Sequence, residues 1–175
     1  MPSNEIVMMR IYFIGFMGSG KSHWGRLLSA NLGLPFFDLD QVIVERDGRT
    51  IAEIFADNGE EYFRLLEKEI LTELTTTHPE MILSCGGGTP CFFNNIDYMK
   101  EHGRVIWLNT STTVLVQRLL KEKNHRPLLK DIPDDEMKAF IVKKLHDRKL
   151  YYEQAHLRLP EETLSLEDMK NALTA

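Results

Sequence analysis

The chain has 175 residues, 43% hydrophobic and 27% charged, with a formal net charge of −5. That is enough for one domain with its own core, expected here to span 1–175. The acidic balance excludes a broad basic footprint for nucleic acid, no apolar run approaches the roughly 20 residues that cross a bilayer, and Cys85 and Cys91 make no disulfide framework.

In chain order, Arg10–Ile14 reads as a strand, followed by a glycine-rich loop and a helix to about Asn31. Gly33 suits its stop. Pro35–Asp38 is a short strand. Helical patterns follow at Gln41–Glu45, Ile51–Ala56 and Glu61–Thr75, with Thr50 as an N-cap. Met81–Ser84 is a strand ending in Gly86-Gly87-Gly88. Ile96–His102 is helical, Val105–Leu108 is a fourth strand, and Thr112–Lys121 is helical again. Residues 122–133 are polar, carry Pro127 and Pro133, and read as a loop. Asp134–Gln154 is a long helix, His156–Leu159 a fifth strand and Ser165–Leu173 a closing helix. This alternation implies an α/β fold: a parallel sheet with helices on both faces. Ligands in such folds sit at the carboxyl ends of the strands. The start of the chain shows no basic segment followed by a long apolar one, so no secretion signal is expected. A reducing cytoplasm is the expected compartment.

The glycine-rich loop is Gly15-Phe16-Met17-Gly18-Ser19-Gly20-Lys21-Ser22. It fits a glycine, four residues, then Gly-Lys-Ser, between a strand and a helix. Such a loop turns its N–H groups inward as a nest for phosphate oxygens, and the next helix aims its positive end there. Lys21 can reach the β- and γ-phosphates of a nucleoside triphosphate, and Ser22 can ligate Mg²⁺. Many such proteins hold the metal with an Asp at the end of another strand. Met81–Ser84 and Val105–Leu108 offer none, which leaves Phe36-Phe37-Asp38-Leu39-Asp40. Residues i and i+2 of a strand share a face, so Asp38 and Asp40 are expected to look into one cleft. One would orient magnesium and the other would align a substrate hydroxyl. The competing role for Asp40 is to cap the helix starting near Gln41.

Arg64 lies in Gly59-Glu60-Glu61-Tyr62-Phe63-Arg64-Leu65-Leu66-Glu67, where helix spacing permits pairing with Glu60 or Glu67. Arg126 sits in Arg126-Pro127-Leu128-Leu129 and Arg148 in Arg148-Lys149-Leu150-Tyr151. A guanidinium binds carboxylate or phosphate by a planar fork, although a lone surface arginine is more often solvated. Three glycines at a strand end permit close backbone approach.

Together and in this order, these segments resemble the shikimate kinase family over about Arg10 to Ala155. The resemblance implies a three-layer α/β/α phosphate-loop kinase with a five-stranded parallel sheet and a mobile lid at about 121–133. It implies transfer of phosphate from ATP to the 3-hydroxyl of shikimate, with Mg²⁺, in aromatic amino-acid biosynthesis. Gly18, Ser19, Gly20, Lys21, Ser22 and His23 would bind ATP, with Arg118 against the adenine and Arg126 closing from the lid. Ser22 would ligate the metal and Asp38 would hold it through water. Asp40 would be the base or aligner, with Lys21 and Arg126 completing catalysis. Arg64 and Arg148 would grip the shikimate carboxylate, Gly86, Gly87 and Gly88 would contact substrate by backbone, and Phe55, Phe63 and Glu67 would line or support that pocket. A monomer without nucleic-acid or membrane partners is expected. His23 departs from the family, which has Ser or Thr there, and altered nucleotide affinity is expected. A gluconate or nucleoside monophosphate kinase is not expected to combine these segments. A noncatalytic ATP-binding module is expected to have lost Lys21, Asp40 or a substrate arginine.

Overall fold

A computed structural model describes residues 9–175. Residues 1–8, which the expected domain and the search for a secretion signal include, lie outside the described residues. Five strands form one parallel sheet: β1 (Arg10–Ile14), β2 (Phe36–Asp38), β3 (Met81–Ser84), β4 (Arg104–Asn109) and β5 (Leu157–Pro160), in the order β2-β3-β1-β4-β5. The central strands are apolar through Ile11–Ile14, Met81–Leu83 and Val105–Leu108 because each face meets helices. Tyr12, Ile14, Leu83, Val105 and Trp107 point into one core, and the alternate residues Ile11, Phe13, Ile82, Ile106 and Leu108 into the other.

Helices α1 (Lys21–Leu32) and α7 (Leu166–Thr174) cover the second core through Trp24, Leu28 and Met169. Helices α2 (Leu39–Asp47), α3 (Ile51–Thr77) and α4 (Asn95–His102) cover the first. Helices α5 (Thr112–Glu122) and α6 (Met137–Tyr152) enclose a third cluster with Phe16 and Leu129. Chain order reverses at β1, so the crevice for ligands lies beyond the carboxyl ends of β1 and β3.

Four local readings change. Helix α2 begins at Leu39, directly after β2, so Asp40 is a first-turn helical residue and not a strand residue. Asp38 is the cap: its carboxylate accepts from the Gln41 N–H at 3.2 Å. The segments Ile51–Ala56 and Glu61–Thr75 belong to one element, α3, broken at Gly59 (φ 83°, ψ 174°). Its start is a reciprocal capping box between Thr50 and Glu53. The long helix opens as a 3₁₀ turn at Asp134–Glu136 and becomes α-helical only from Met137. Residues 122–133 are more than open loop: α5 runs through Glu122, a 3₁₀ turn spans Lys123–His125, and Leu129 is fully buried.

The break at Gly59 separates the turns carrying Ile51 and Phe55 from those carrying Phe63, Arg64 and Glu67. Its φ and ψ lie where only glycine rests without strain. Among the described residues no heavy atom beyond the chain neighbours and the helix's own backbone lies within 4 Å of the position a Cβ would take, so the requirement is conformational, not steric. Gly59→Ala is therefore expected to cost about 1–3 kcal/mol in urea denaturation. An unchanged midpoint would show that the break is not held by this dihedral.

Candidate active site

Gly15–Ser22 follows β1 and turns into α1. Gly20 caps that helix with left-handed backbone (φ 90°, ψ 15°), and no side chain accepts from the helix's first N–H groups. An uncapped helix start facing a cleft is a ready anion site. Lys21 is buried, and its ammonium donates to the carbonyls of Gly15 at 2.8 Å and Phe16 at 2.9 Å. Burial pushes its pKa down from 10.5 to about 8, with the negative charge of Asp40 opposing the shift. Ser19 is also buried, lines neither cavity described below, and uses its N–H to close a turn on the Phe16 carbonyl at 3.1 Å.

Ser22 donates to Asp38 Oδ2 at 2.6 Å and lies 3.1 Å from the Ser84 hydroxyl. Asp38 and Ser84 are neighbours in the β2–β3 register, so sheet pairing fixes this oxygen group. These are hard oxygen donors at a phosphate loop, the ligand type magnesium takes alongside substrate phosphates. Among the described residues no cluster of three or more His, Cys, Asp or Glu side chains could hold a metal by itself. Asp40 does share the cleft with Asp38, through the strand-to-helix turn and not through strand alternation. Burial raises the Asp40 pKa, and the charge of Asp38 raises it further; Lys21, Arg64 and Arg126 oppose both.

Arg64 combines the two roles that its sequence left open. It is 8% exposed and Glu67 is 0% exposed. Its Nη1 donates to Glu67 at 3.0 Å and its Nε to Glu60 at 3.3 Å. Glu67 also accepts from the Thr89 hydroxyl at 2.7 Å. Burial raises the Glu67 pKa, and the charge of Arg64 opposes that rise. The guanidinium lies over the rings of Phe92 (4.2 Å) and Phe63 (5.1 Å). Arg148 stands across from it, with its guanidinium over Phe16 at 5.5 Å. Among the described residues its Nη1 is buried without a hydrogen-bond partner.

The glycine triplet explains how these groups fit. A Cβ at Gly88 would come within 2.6 Å of Arg64 Nη2, one at Gly87 within 3.0 Å of Arg148 Nη1, and one at Gly86 within 3.2 Å of Asp40 Oδ1. None of the three has positive φ, so their value is the space they leave. Tyr152 holds the turn by donating to the Gly87 carbonyl at 2.6 Å.

Two cavities result, of about 520 and 440 Å³. The first is lined by Gly18, Gly20, Lys21, Ser22, His23, Asp38 and Arg118. His23 is exposed there, edge-on to Trp24. The second is lined by Arg64, Gly88 and Arg148, with Phe55, Phe63 and Glu67. Asp40, Gly86, Gly87, Met17 and Arg126 line both. Arg126 is tied to Glu122 at 2.6 Å and sits just before the buried Leu129.

Sequence reasoning missed Phe92 and Thr89, and it did not single out Glu161. Thr89 directly follows the triplet, which was its available signal. Glu161 follows β5 at the carboxyl edge, where an acid merited attention. Phe92 carried no local signal, because its contact with Arg64 depends on the turn after Gly88.

A phosphate-loop cavity joined to a smaller, doubly cationic one defines a small-metabolite phosphotransferase. Comparison with known proteins narrows the class. A family model described as "Shikimate kinase" matches residues 17–175. The shikimate kinase of Bacteroides fragilis is 42% identical over 149 residues, covering 85% of this chain and 83% of that one. The crystal structure of shikimate kinase from Bacteroides thetaiotaomicron superposes with a TM-score of 0.85 at 35% identity, covering 95% of this chain and 94% of that one. The shikimate kinase of Acinetobacter baumannii, solved in complex with shikimate, gives 0.81 at 34% identity, covering 99% and 94%. The chain belongs to the shikimate kinase family.

The depressed pKa of Lys21 has a measurable consequence. In the free protein the lysine is half-deprotonated near pH 8, and phosphate binding favours its charged form. Calorimetry near pH 8 in buffers of different ionisation enthalpy is expected to show proton uptake on ADP binding. Affinity is expected to fall as pH rises through about 8. Proton release, or a flat profile from pH 7 to 9, would contradict the assignment.

Proposed function

We propose that this chain transfers the terminal phosphoryl group of ATP to the 3-hydroxyl of shikimate, giving ADP and shikimate 3-phosphate. The observation that carries this reading is the junction of the two cavities at Asp40 and Arg126. A donor in one and an acceptor in the other would meet where this carboxylate and this guanidinium line both cavities.

The second cavity fits shikimate in kind. Its carboxylate would take the unpartnered Nη1 of Arg148, together with Arg64, which Glu67 and Phe92 hold in place. Its hydroxyls would face Asp40 and the backbone of Gly86 and Gly87. Asp40 accepts the proton of the attacking hydroxyl or aligns it, and its raised pKa makes it the better acceptor. Lys21 and the loop amides hold the phosphates of the donor. Ser22 and Asp38 would hold magnesium, with Asp38 acting through water. When bound, the metal would offset the charge of the phosphates. Arg126 adds positive charge at the junction, where phosphoryl transfer depends on positioning and charge stabilisation.

The domain is read as single, with residues 121–133 as a lid over both cavities. Two free thiols, Cys85 and Cys91, suit a reducing cytoplasm. Among the described residues no helix is long and apolar enough to cross a membrane. Action without nucleic acid is the reading that accompanies a net charge of −5, and a monomer is the reading that accompanies the family.

A coupled ADP-release assay with shikimate, gluconate and nucleoside monophosphates is expected to show turnover with shikimate. Absence of shikimate-dependent turnover would reject the reading. Arg148→Ala is expected to raise the KM for shikimate about 10- to 100-fold, the loss of a charge-assisted contact. A KM for ATP that rises as much would place Arg148 elsewhere.

Asp40→Asn is expected to cut kcat by about 10²–10⁴-fold and to remove the acid limb of the pH profile. That limb should lie above the ordinary aspartate range, because burial raises the Asp40 pKa. The same shift has a stability sign. Folding binds the Asp40 proton more tightly than the unfolded chain does, so stability is lost as pH rises through the folded pKa. The Asn variant should therefore be less active yet more resistant to urea at pH 7. A variant both inactive and less stable would contradict this account of Asp40.

A further inference from the structure

One buried carboxylate in the first cavity takes no part in the chemistry above. Glu161 opens the 3₁₀ turn Glu161–Thr163 after β5 and is 8% exposed. Groups from three other parts of the chain converge on it. Arg118 of α5 places Nη1 3.0 Å from Oε2 and donates from Nη2 to Oε1 at 3.3 Å. The Thr110 hydroxyl donates to Oε2 at 3.1 Å, and the Trp24 indole N–H to Oε1 at 3.3 Å. Arg118 Nη1 also donates to the Gly18 carbonyl at 2.9 Å.

These contacts decide what Arg118 can still offer. A guanidinium has five N–H donors along its edge and a flat face above and below. Both terminal nitrogens already donate, Nη1 to Gly18 and Nη2 to Glu161, and the carboxylate is paired against the positive charge. A guanidinium in that state is a poor phosphate clamp and a good stacking surface. The side chain is 35% exposed and lines the cavity that holds Lys21 and Ser22.

We propose that Glu161 is a positioning residue for the nucleotide: it fixes the plane of Arg118 beside the phosphate loop so that the base stacks on its face, and its charge keeps Arg118 from turning to the phosphates. The inference rests on reading the first cavity as the nucleotide site. Glu161 acts through Arg118 and touches no reacting atom. Its effect is confined to the base end of the ligand.

The test compares ADP with inorganic tripolyphosphate, which has phosphates and no base, in calorimetric titrations of the full chain. In Glu161→Gln, which keeps the shape of the side chain but removes its charge and turns one acceptor oxygen into a donor, ADP affinity is expected to fall about five- to tenfold, part of a stacking contribution. Tripolyphosphate affinity is expected to hold or rise, because a negative charge has left the cavity. The KM for ATP should rise more than kcat falls. In a double mutant with Arg118→Ala, the glutamine should add no further loss of ADP affinity, since its effect passes through the arginine. Equal losses for ADP and tripolyphosphate would make Glu161 a support of the phosphate loop and overturn the proposal, as would additive losses in the double mutant. Should Glu161→Gln not fold, Glu161→Asp, which draws the carboxylate back from Arg118, is expected to show the same separation of ADP from tripolyphosphate. Wild-type protein that binds neither ligand would overturn the nucleotide-site reading itself.

Discussion

Charge removed from water at the carboxyl edge of the sheet is the constraint on which the rest depends. Lys21, Arg64 and Glu67 are all buried there, and Asp40 stands among them. Each would be strongly unfavourable alone, and removing one partner of such a pair costs about 3–5 kcal/mol. They are tolerated because each is bonded: Lys21 to two loop carbonyls, and Glu67 to Arg64 and Thr89. The surrounding sequence follows from this. The triplet Gly86–Gly88 leaves the space that Asp40, Arg148 and Arg64 fill. Phe92 covers a guanidinium face that water would otherwise hydrate. The strand order brings β1, β2 and β3 side by side, so their carboxyl ends deliver the loop, Asp38 and the triplet to one crevice.

This arrangement reconciles an acidic protein with anionic substrates. The net charge of −5 is spread over the whole chain, whereas the cavities face Lys21, Arg64, Arg126 and Arg148. Local fields in low-dielectric clefts, not net charge, govern what binds there. The arginines divide by what satisfies them. Arg64 is held by Glu67 and Arg118 by Glu161, whereas Arg148 keeps a buried nitrogen without a partner. That difference separates a grip built in advance from a donor left for a ligand.

Much of this was legible in the sequence for physical reasons. Apolar runs such as Val105–Leu108 announce strands buried on both faces, and the loop Gly15–Ser22 carries its geometry in its glycines. Thr50 reads as an N-cap, and the structure adds Glu53 to complete a capping box. Other features depended on tertiary context. Asp38 and Asp40 were rightly joined for the wrong reason: the chain turns helical at Leu39, and the turn, not the pleat, brings them together. Gly59 falls between two segments that read as separate helices, and its dihedrals set the direction of the turn that carries Arg64. Leu129 reads as part of a polar loop, yet it is buried against α5 and α6 and anchors the segment carrying Arg126. Glu161 stands out only once Arg118, Thr110 and Trp24 converge on it.

The central claim is that the second cavity receives a carboxylate on Arg148 and Arg64 while presenting a hydroxyl to Asp40. A crystal structure of the protein with shikimate and ADP tests it most directly. The account predicts the shikimate carboxylate within hydrogen-bond distance of Arg148 Nη1 and Arg64, and a ring hydroxyl within that distance of an Asp40 oxygen. A carboxylate bound instead at Lys21 and the phosphate loop, with Arg148 Nη1 still unpartnered, would contradict it.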